Sequence, residues 1–277
     1  MVFADVELAR RLERAEATSA VRNVEGRARV FPERGATWTE IAGAYALFDG
    51  PESPVTQTFG LGLFQTPTID DFAAIEAFFT ERGAPVFHEV TPLADAQTFT
   101  LLSARGYQPI EFTSVMFRSL ADLAGQAGQV SRVGQAGLTV RRAGRDDADV
   151  YARTAAEGWR EAGYADFVHD MGRVYAASEG IDVFLAELEG RPIATGVLSI
   201  HGRVAHLAGA STIPDGRRRG AQNALLDHRL RFAADCGCDV ALIGALPGSG
   251  SQRNAERNGF RIAYTRIKWR RAPIPNP

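Results

Sequence analysis

A strand, an arginine-rich turn and a helix are predicted in direct succession between residues 204 and 236, and this junction restricts the fold more than any other feature. Residues 204–212 are mostly small or apolar, as in a strand, and residues 225–236 repeat apolar side chains at helical spacing. Between them the chain reads Ile-Pro-Asp-Gly-Arg-Arg-Arg-Gly. Because a helix start already carries unpaired N–H groups and partial positive charge, added cations there predict an anionic ligand.

The turn is predicted to hold a phosphate-bearing ligand. Gly220 permits a close approach of the backbone, and the preceding arginines place charge where a diphosphate would lie. A Walker loop is excluded, because no Gly-Lys-Ser/Thr sequence ends the turn. A dinucleotide fingerprint beginning at Gly248 would need a glycine where Arg253 stands. The alternative is a solvated loop whose arginines only aid solubility.

Composition excludes several other classes. The 277 residues suffice for two domains, and the formal net charge of −2 predicts no general attraction to nucleic acid or to a membrane. No run of about 18 apolar residues occurs, and the charged amino terminus is unlike a signal peptide. Cys236 and Cys238 are too close for a normal disulfide and no zinc spacing accompanies them, so we expect reduced thiols, no metal site and a cytoplasmic protein.

The chain is predicted to divide at a Gly- and Gln-rich stretch over 121–137, which has no sustained apolar period and is typical of a linker. This linker would join a first domain over 1–120 to a second over 138–277.

The two predicted domains share an order of features. Gly83 and Gly237 each end a helical segment and precede an apolar strand. The sequences RGYQPIEFTSVMFR (105–118) and NGFRIAYTRIKWR (258–270) both begin with Gly-aromatic and end with aromatic-Arg. This shared order suggests a duplicated unit.

The pattern of elements predicts an α/β fold with a mixed sheet. In the second half, strands are predicted at 139–142, 183–188, 193–200, 204–212, 240–245 and from 260, with helices over 145–161 and from 251. In the first half, the clearest elements are a strand at 58–62 and a helix at 69–79. Two tandem domains are expected, each a mostly antiparallel mixed sheet flanked by helices.

The sequence HLAGASTIPDGRRRGAQNALLDHRLRFAADCGC (206–238), followed by PGSGSQRNAERNGF (247–260), resembles the coenzyme A-binding core of the GCN5-related N-acetyltransferase (GNAT) family. The family's loop, Gln/Arg-x-x-Gly-x-Gly/Ala, corresponds here to Arg217-Arg218-Arg219-Gly220-Ala221-Gln222. Gln222 departs from the small residue usual at the last position, which makes one diphosphate-binding amide less accessible. The resemblance covers 138–271 well and the first 120 residues more weakly.

The resemblance implies acetyl-CoA as cofactor and assigns residues to it. The family's fourth strand, here 207–213, separates from the fifth, here 240–245, and pantetheine lies in the gap. Backbone groups of Ser211, Thr212 and Ile213 would pair with pantetheine, and N–H groups of 218–222 would hold the diphosphate. Asn254 would contact the cofactor or would be an ordinary amide on a helix surface.

The first half lacks the loop that binds the diphosphate. Its candidate strand and helix are joined by LFQTPT (63–68), which contains neither arginine nor glycine. We therefore interpret the first domain as a degenerate copy that packs against or shapes the acceptor pocket.

Acetyl transfer to an amine needs a base to deprotonate the nucleophile and an acid to protonate the leaving thiolate. Family members often use a tyrosine as the acid, but Ala255 occupies that position here. Ser249 is a nearby substitute, although a helix-cap role explains it equally. Glu187 and His206 are the candidate bases, the alternatives being a surface charge on a hairpin and a hydrogen-bonded strand histidine.

The acceptor site is expected on the segment after the first helix of the second domain. Glu157 and Glu161 accompany Trp159 and Tyr164 there, and acidic and aromatic side chains together suit a cationic amine. An amphipathic core helix is the alternative explanation for Trp159.

Two functional hypotheses follow from the sequence. The first is an acetyl-CoA-dependent N-acetyltransferase for a small-molecule amine, monomeric or homodimeric, of which a mycothiol-synthase-like enzyme is one form. The second is a non-catalytic acyl-CoA-binding regulatory protein, which the absent tyrosine would permit.

Overall fold

The computed structural model of the protein describes residues 3–123 and 135–271. The predicted linker over 121–137 falls largely outside these residues. The described chain forms two compact units, one made of Met1–Phe117 with Gly244–Pro277 (unit 1) and the other of Arg118–Ile243 (unit 2). No helix in the described chain has both the length and the apolar character needed to cross a membrane.

The helices are α1 (Val6–Val30), α2 (Ile69–Thr80), α3 (Ala96–Ala104), α4 (Ala148–Glu157), α5 (Ala165–Ala177), α6 (Ala221–Asp235) and α7 (Gly250–Arg257). The strands are β1 (Thr37–Ile41), β2 (Ala44–Phe48), β3 (Gln57–Phe59), β4 (Phe87–Val90), β5 (Tyr107–Ser119), β6 (Leu138–Arg142), β7 (Ile181–Leu188), β8 (Arg191–His201), β9 (Val204–Thr212), β10 (Val240–Ala245) and β11 (Arg261–Arg271). The mixed α/β class predicted from the sequence is confirmed.

Each unit contains one parallel strand pair in an otherwise antiparallel sheet. In unit 1 the strand order is β1-β2-β3-β4-β11-β5, with β3 and β4 parallel and joined through α2. In unit 2 the order is β10-β9-β8-β7-β6, with β9 and β10 parallel and joined through α6. Parallel neighbours need such a crossover connection. Both sheets thus share one arrangement, a single parallel pair joined through a helix.

The carboxyl-terminal segment differs from the predicted domain division. The sequence places residues 244–277 in the second domain, but the structure places the described part of this segment, 244–271, in unit 1. The physical reason is β11, which pairs antiparallel with β4 on one edge and with β5 on the other.

The two segments that the sequence identified as a repeat pair with each other. β5 and β11 run antiparallel from Tyr107–Arg271 at one end to Phe117–Arg261 at the other, interrupted by two register shifts. The similar endings of the two halves therefore form adjacent strands of one sheet.

A buried guanidinium ties β11 to the rest of unit 1. Arg266 is 3% exposed, and its nitrogens donate to Glu16 at 2.8 Å, to Glu89 at 2.9 Å and to Glu13 at 3.3 Å. The Tyr264 hydroxyl donates to Glu13 at 2.9 Å. Burial raises the pKa of Glu13 to about 7, because the charged carboxylate loses its hydration. The attraction of Arg266 lowers this pKa and the repulsion of Glu16 and Glu89 raises it. The carboxylates also hold the pKa of Arg266 far above its ordinary value.

Two predicted elements end earlier than expected, each at a glycine. The helix predicted over 145–161 starts with a 3₁₀ turn and ends at Glu157, next to Gly158, and a second 3₁₀ turn follows at Arg160–Ala162. The strand predicted over 58–62 ends at Phe59, since Gly60 and Gly62 adopt φ angles of 80° and 75° that turn the chain.

We predict that Glu13→Gln removes a pH-dependent loss of stability. Between about pH 4.5 and pH 7 the folded wild type holds a proton on Glu13 that the unfolded chain has released, so its free energy of unfolding falls as pH rises. Glutamine cannot ionise, and the variant should be more stable than wild type at pH 8 by about 1–3 kcal/mol and similar at pH 5. Urea denaturation at both pH values measures this difference.

The control is Glu33→Gln, which alters an exposed carboxylate of the same unit. It should leave the pH dependence unchanged. A Glu13→Gln protein that is less stable than wild type at pH 8, with the same pH slope, would show that Glu13 is ionised in the folded state.

Candidate functional site

β9 leaves its parallel neighbour after three residues. Val204–His206 pair with Val240–Leu242, and the parallel pairing goes no further, whereas β8 remains paired with β9 as far as Thr212. One edge of β9 is therefore open beyond His206. This is the separation of strands that the family resemblance implies.

A β-bulge interrupts β9 on this open stretch. Thr195 pairs with Ser211 and Val197 with Ala208, so that Gly196 of β8 faces both Gly209 and Ala210. Gly209 has a φ of 58°, and a Cβ built there would lie 2.5 Å from the Val197 side chain. Gly209 and Ala210 are both exposed. Such a bulge bends the strand and changes the direction of its backbone groups.

The arginine-rich turn presents successive backbone N–H groups. Arg218 and Gly220 have φ angles of 62° and 81°, and Gly220 is the N-cap of α6 without a capping side chain. The N–H groups of residues 218–222 have no hydrogen-bond partner in the part of the chain that the structure describes. Successive unpaired N–H groups in a turn before a helix form a set of donors suited to an anion.

Gln222 fastens the start of α6 to the end of β9. Its side-chain amide donates to the Ser211 carbonyl and to Thr212 Oγ1, both at 2.8 Å. The side chain of Gln222, the residue that departs from the family pattern, thus links the two elements that flank the turn.

Ser211, Thr212 and Ile213 differ in the groups they leave available. The Ile213 N–H donates to Ile193 of β8 at 3.0 Å, so it is already used. Because bonding alternates along an antiparallel ladder, the backbone groups of Thr212 face away from β8. The Ser211 hydroxyl donates to the Ala155 carbonyl of α4 at 2.7 Å.

The connection after α4 packs directly on the end of β9. A Cβ built on Gly158 would lie 2.1 Å from Ser211 Oγ and 2.8 Å from the Thr212 carbonyl oxygen. Arg217 donates to Glu161 at 2.7 Å, and a longer contact of 3.4 Å joins it to the Gly158 carbonyl. The structure therefore brings one predicted diphosphate ligand together with one predicted acceptor-site carboxylate.

The predicted acceptor residues lie together between α4 and α5. Trp159 and Tyr164 are 41% and 58% exposed and meet edge to face with ring centroids 6.3 Å apart. Glu157 forms an ion pair with Arg160. The exposure of Trp159 disagrees with the alternative that it belongs to a helix core.

The two candidate bases have different surroundings. Glu187 of β7 accepts from Arg141 at 3.0 Å, and Arg141 also binds Asp147 at 2.7 Å. Side-chain bonding to Arg141 lowers the pKa of Asp147 to about 2. His206 lies where β9 loses β10, paired with Ser199 on one side and Leu242 on the other. Alternation along β9 places its side chain on the same face as Ala208, which packs on the core beneath α4 and α5.

Ser249 and Asn254 belong to unit 1 with α7. Ser249 is the N-cap of that helix and accepts from the Gln252 N–H at 3.1 Å, the cap role considered from the sequence. Asn254 is half-buried, and Ala255 is 1% exposed.

Sequence reasoning overlooked Arg229 of α6. It is 3% exposed, donates to the carbonyls of Val197 at 2.9 Å and Ala208 at 3.1 Å, and fills the space that a side chain at Gly196 would need. The sequence feature that indicates burial of Arg229 is its position four residues after Leu225, in the apolar stripe of the helix.

The corresponding turn of unit 1 is built differently. Thr68 caps α2 in a reciprocal capping box with Asp71, and Asp70 adds a second carboxylate to the first turn. The loop after β3 is held by a hydrogen bond from the Asp95 N–H to the Gly62 carbonyl, at 2.8 Å. Carboxylates at a helix start occupy the position that a diphosphate would need.

Comparison with known proteins agrees with this geometry. Residues 113–245 match the family model of the acetyltransferase (GNAT) domain. A GCN5-related N-acetyltransferase from Kribbella flavida has a similar structure, with a TM-score of 0.65, 16% identity, and coverage of 93% of this chain and 96% of that one. A tandem GNAT protein from the clavulanic acid biosynthesis pathway gives a TM-score of 0.55 at 16% identity, covering 74% and 70%. A putative GNAT acetyltransferase from Novosphingobium aromaticivorans DSM 12444 gives 0.50 at 16% identity, covering 91% and 98%. No curated protein matches by sequence.

The fold is therefore that of the GCN5-related acetyltransferases. The segment 113–245, which contains all of unit 2, matches the acetyltransferase domain of the GNAT family.

We predict that Gly220→Val abolishes the thermal stabilisation given by acetyl-CoA. Valine is strained at a φ of 81°, so the turn should no longer present its N–H groups to a diphosphate. Scanning fluorimetry with and without acetyl-CoA measures the effect.

Gly190→Val is the matched control, since Gly190 has the same φ of 81° in an open turn with no atom near its position. Its strain should lower the melting temperature but leave the shift given by acetyl-CoA intact. A folded Gly220→Val protein with the wild-type shift would contradict the predicted binding site.

Proposed function

We propose that the protein is an acetyl-CoA-dependent N-acetyltransferase that acts on a small-molecule amine through the site in unit 2. The observation that carries the proposal is the row of unpartnered N–H groups over 218–222, preceding α6 and adjoining the open edge of β9. The diphosphate of coenzyme A would bind these groups together with the α6 dipole. Arg217, Arg218 and Arg219 would supply the compensating charge.

The open edge of β9 would receive the pantetheine arm. The backbone of Thr212 faces away from β8, next to Gly158, and would pair with a ligand amide in the manner of an added strand. The exposed bulge at Gly209 and Ala210 would place backbone N–H groups near the thioester carbonyl. Such donors stabilise the oxyanion of the tetrahedral intermediate.

His206 is favoured over Glu187 as the general base. It lies four residues before Ala210 at the point where β9 and β10 part, whereas the Glu187 carboxylate is held by Arg141. In the proposed step the amine nitrogen attacks the thioester carbon and gives up a proton toward His206. The C–S bond then breaks, and water protonates the thiolate, since Ala255 cannot.

The acceptor is proposed to be a cationic amine bound beside Trp159 and Tyr164. Both rings are exposed and meet at an edge, and aromatic faces attract ammonium groups. Glu157 and Glu161 lie nearby but already bond Arg160 and Arg217. The carboxylates would therefore act on the amine only when those arginines turn elsewhere, as Arg217 would on binding a diphosphate.

Unit 1 is proposed to bind no coenzyme A. The capping box and carboxylates of α2 take up the donors and charge that a diphosphate would require. It would serve as the degenerate copy inferred from the sequence.

A non-catalytic acyl-CoA-binding regulator is the competing function. The buried Ala255 at the position of the usual acid favours it. An amino-sugar acceptor, as for a mycothiol-synthase-like enzyme, is a special case of the first proposal.

The first prediction of this proposal is slow but measurable acetyl transfer. Purified protein and acetyl-CoA should release free thiol in the presence of at least one member of a panel of polyamines, amino sugars and aminoglycosides. Loss of a dedicated general acid costs roughly 10²–10⁴-fold, which slows the reaction without stopping it. Binding of acetyl-CoA without thiol release over the whole panel would favour the regulator.

The second prediction concerns the base. His206→Gln should lower turnover by about 10²-fold or more while leaving the dissociation constant of acetyl-CoA unchanged. Glu187→Gln, which alters a carboxylate already held by Arg141, is the matched control and should retain most of the rate. The opposite ranking of the two variants would assign the base to Glu187, and full activity in both would place it elsewhere.

A further inference from the structure

Arg229 is a buried cation without an acidic partner. Its side chain is 3% exposed, and no carboxylate in the described part of the chain forms an ion pair with it. Its hydrogen bonds run to carbonyl oxygens, namely Leu225 of its own helix at 3.2 Å and Val197 and Ala208 of the sheet. Burial lowers the pKa of Arg229 to about 10, so the guanidinium stays protonated at neutral pH.

Such a group needs an explanation, because an uncompensated buried charge destabilises a fold. Apolar residues of similar volume are often neutral or stabilising in place of buried charges. α6 otherwise presents apolar side chains to the sheet, among them Leu225, Leu226 and Leu230. Packing alone would be satisfied by leucine or methionine at position 229.

A glycine of the sheet, Gly196, leaves the space that the Arg229 guanidinium fills. A Cβ built on Gly196 would lie 2.7 Å from Cζ and 2.8 Å from Nη1 of Arg229, so a side chain at this position would force the guanidinium to move. Gly196 is also the residue that faces the two bulged residues of β9. The guanidinium therefore lies directly beneath the bulge.

The two carbonyls that Arg229 binds are those on the near side of the bulge. Val197 and Ala208 are paired across β8 and β9, and the bulge begins at the next residue of β9, Gly209. A single nitrogen, Nη1, joins both oxygens. The Ala208 carbonyl belongs to the same peptide group as the Gly209 N–H, so a cation on the oxygen polarises that N–H and strengthens it as a donor.

We infer that Arg229 is a positioning residue, which fixes the bulge of β9 and polarises its peptide groups toward the carbonyl of a bound thioester. This inference rests on the proposed function, because it concerns the site where acetyl-CoA would lie. The guanidinium does not touch the ligand. It acts through the Ala208–Gly209 peptide and through the positive potential that it adds beneath the site.

The direct test is infrared spectroscopy of acetyl-CoA labelled with ¹³C at the carbonyl. In the wild-type protein the thioester stretch should move to lower frequency than in water, because the oxygen receives stronger donors. Arg229→Met should bind acetyl-CoA with near wild-type affinity, since the diphosphate turn is unchanged, yet return the stretch toward its value in water. With an acceptor present, kcat should fall by about 10²-fold with little change in the KM for acetyl-CoA.

Arg231→Met is the matched control, because it removes another guanidinium of α6, one that bonds Asp227 of the same helix. It should leave both the stretch and kcat unchanged. Arg229→Lys keeps the positive charge and should restore part of the frequency shift. If Arg229→Met does not fold, Arg229→Gln carries the same test and should lose most of the shift.

Three results would overturn the inference. A folded Arg229→Met or Arg229→Gln protein that binds acetyl-CoA with the wild-type thioester stretching frequency would show that Arg229 contributes only to packing. Equal losses in Arg231→Met would show a general effect of altering α6. Failure of the wild-type protein to bind acetyl-CoA would remove the proposed function and this role together, which distinguishes that failure from the first two.

Discussion

The structure of unit 2 depends on β9 having two neighbours at its start and one at its end. Three residues pair with β10, after which β8 alone holds the strand, and a bulge turns its backbone at Gly209 and Ala210. A strand edge left open in this way exposes unpaired polar groups, so neighbouring elements must protect it or a ligand must use it. The connection after α4 approaches one face through Gly158, Gln222 approaches from α6, and Arg229 supports the strand from below.

Buried charge appears in both units with opposite arrangements. In unit 1, Arg266 is surrounded by three carboxylates that join α1, β4 and β11, which suits a structural role. In unit 2, Arg229 lies at a bulge, and its hydrogen bonds within the described chain run to carbonyl oxygens. Opposite charges offset part of the desolvation cost of the Arg266 cluster, whereas no carboxylate in the described chain offsets the charge of Arg229. The difference supports a structural assignment for the first and a functional one for the second.

Local patterns predicted the local structure well. The limits of β9 and β10 and the strand–turn–helix junction agree with the sequence, because alternation, glycine and helical spacing are local signals. The placement of β11 in unit 1 was missed, since strand pairing over 150 residues leaves no local trace. Arg229 was missed because an arginine is normally expected at the surface. The ion pairs of Arg266 with Glu13 and Glu89 were also not predicted, because these carboxylates come from segments far away in the sequence.

The central claim is that one acetyl-CoA binds per chain, at the turn before α6. The most direct measurement is a crystal structure of the protein grown with acetyl-CoA. The account predicts one cofactor with its diphosphate within hydrogen-bonding distance of the N–H groups of 218–222, and its pantetheine along the backbone of Ala210–Thr212. A diphosphate bound at the start of α2, or a cofactor that leaves the turn before α6 unoccupied, would contradict it.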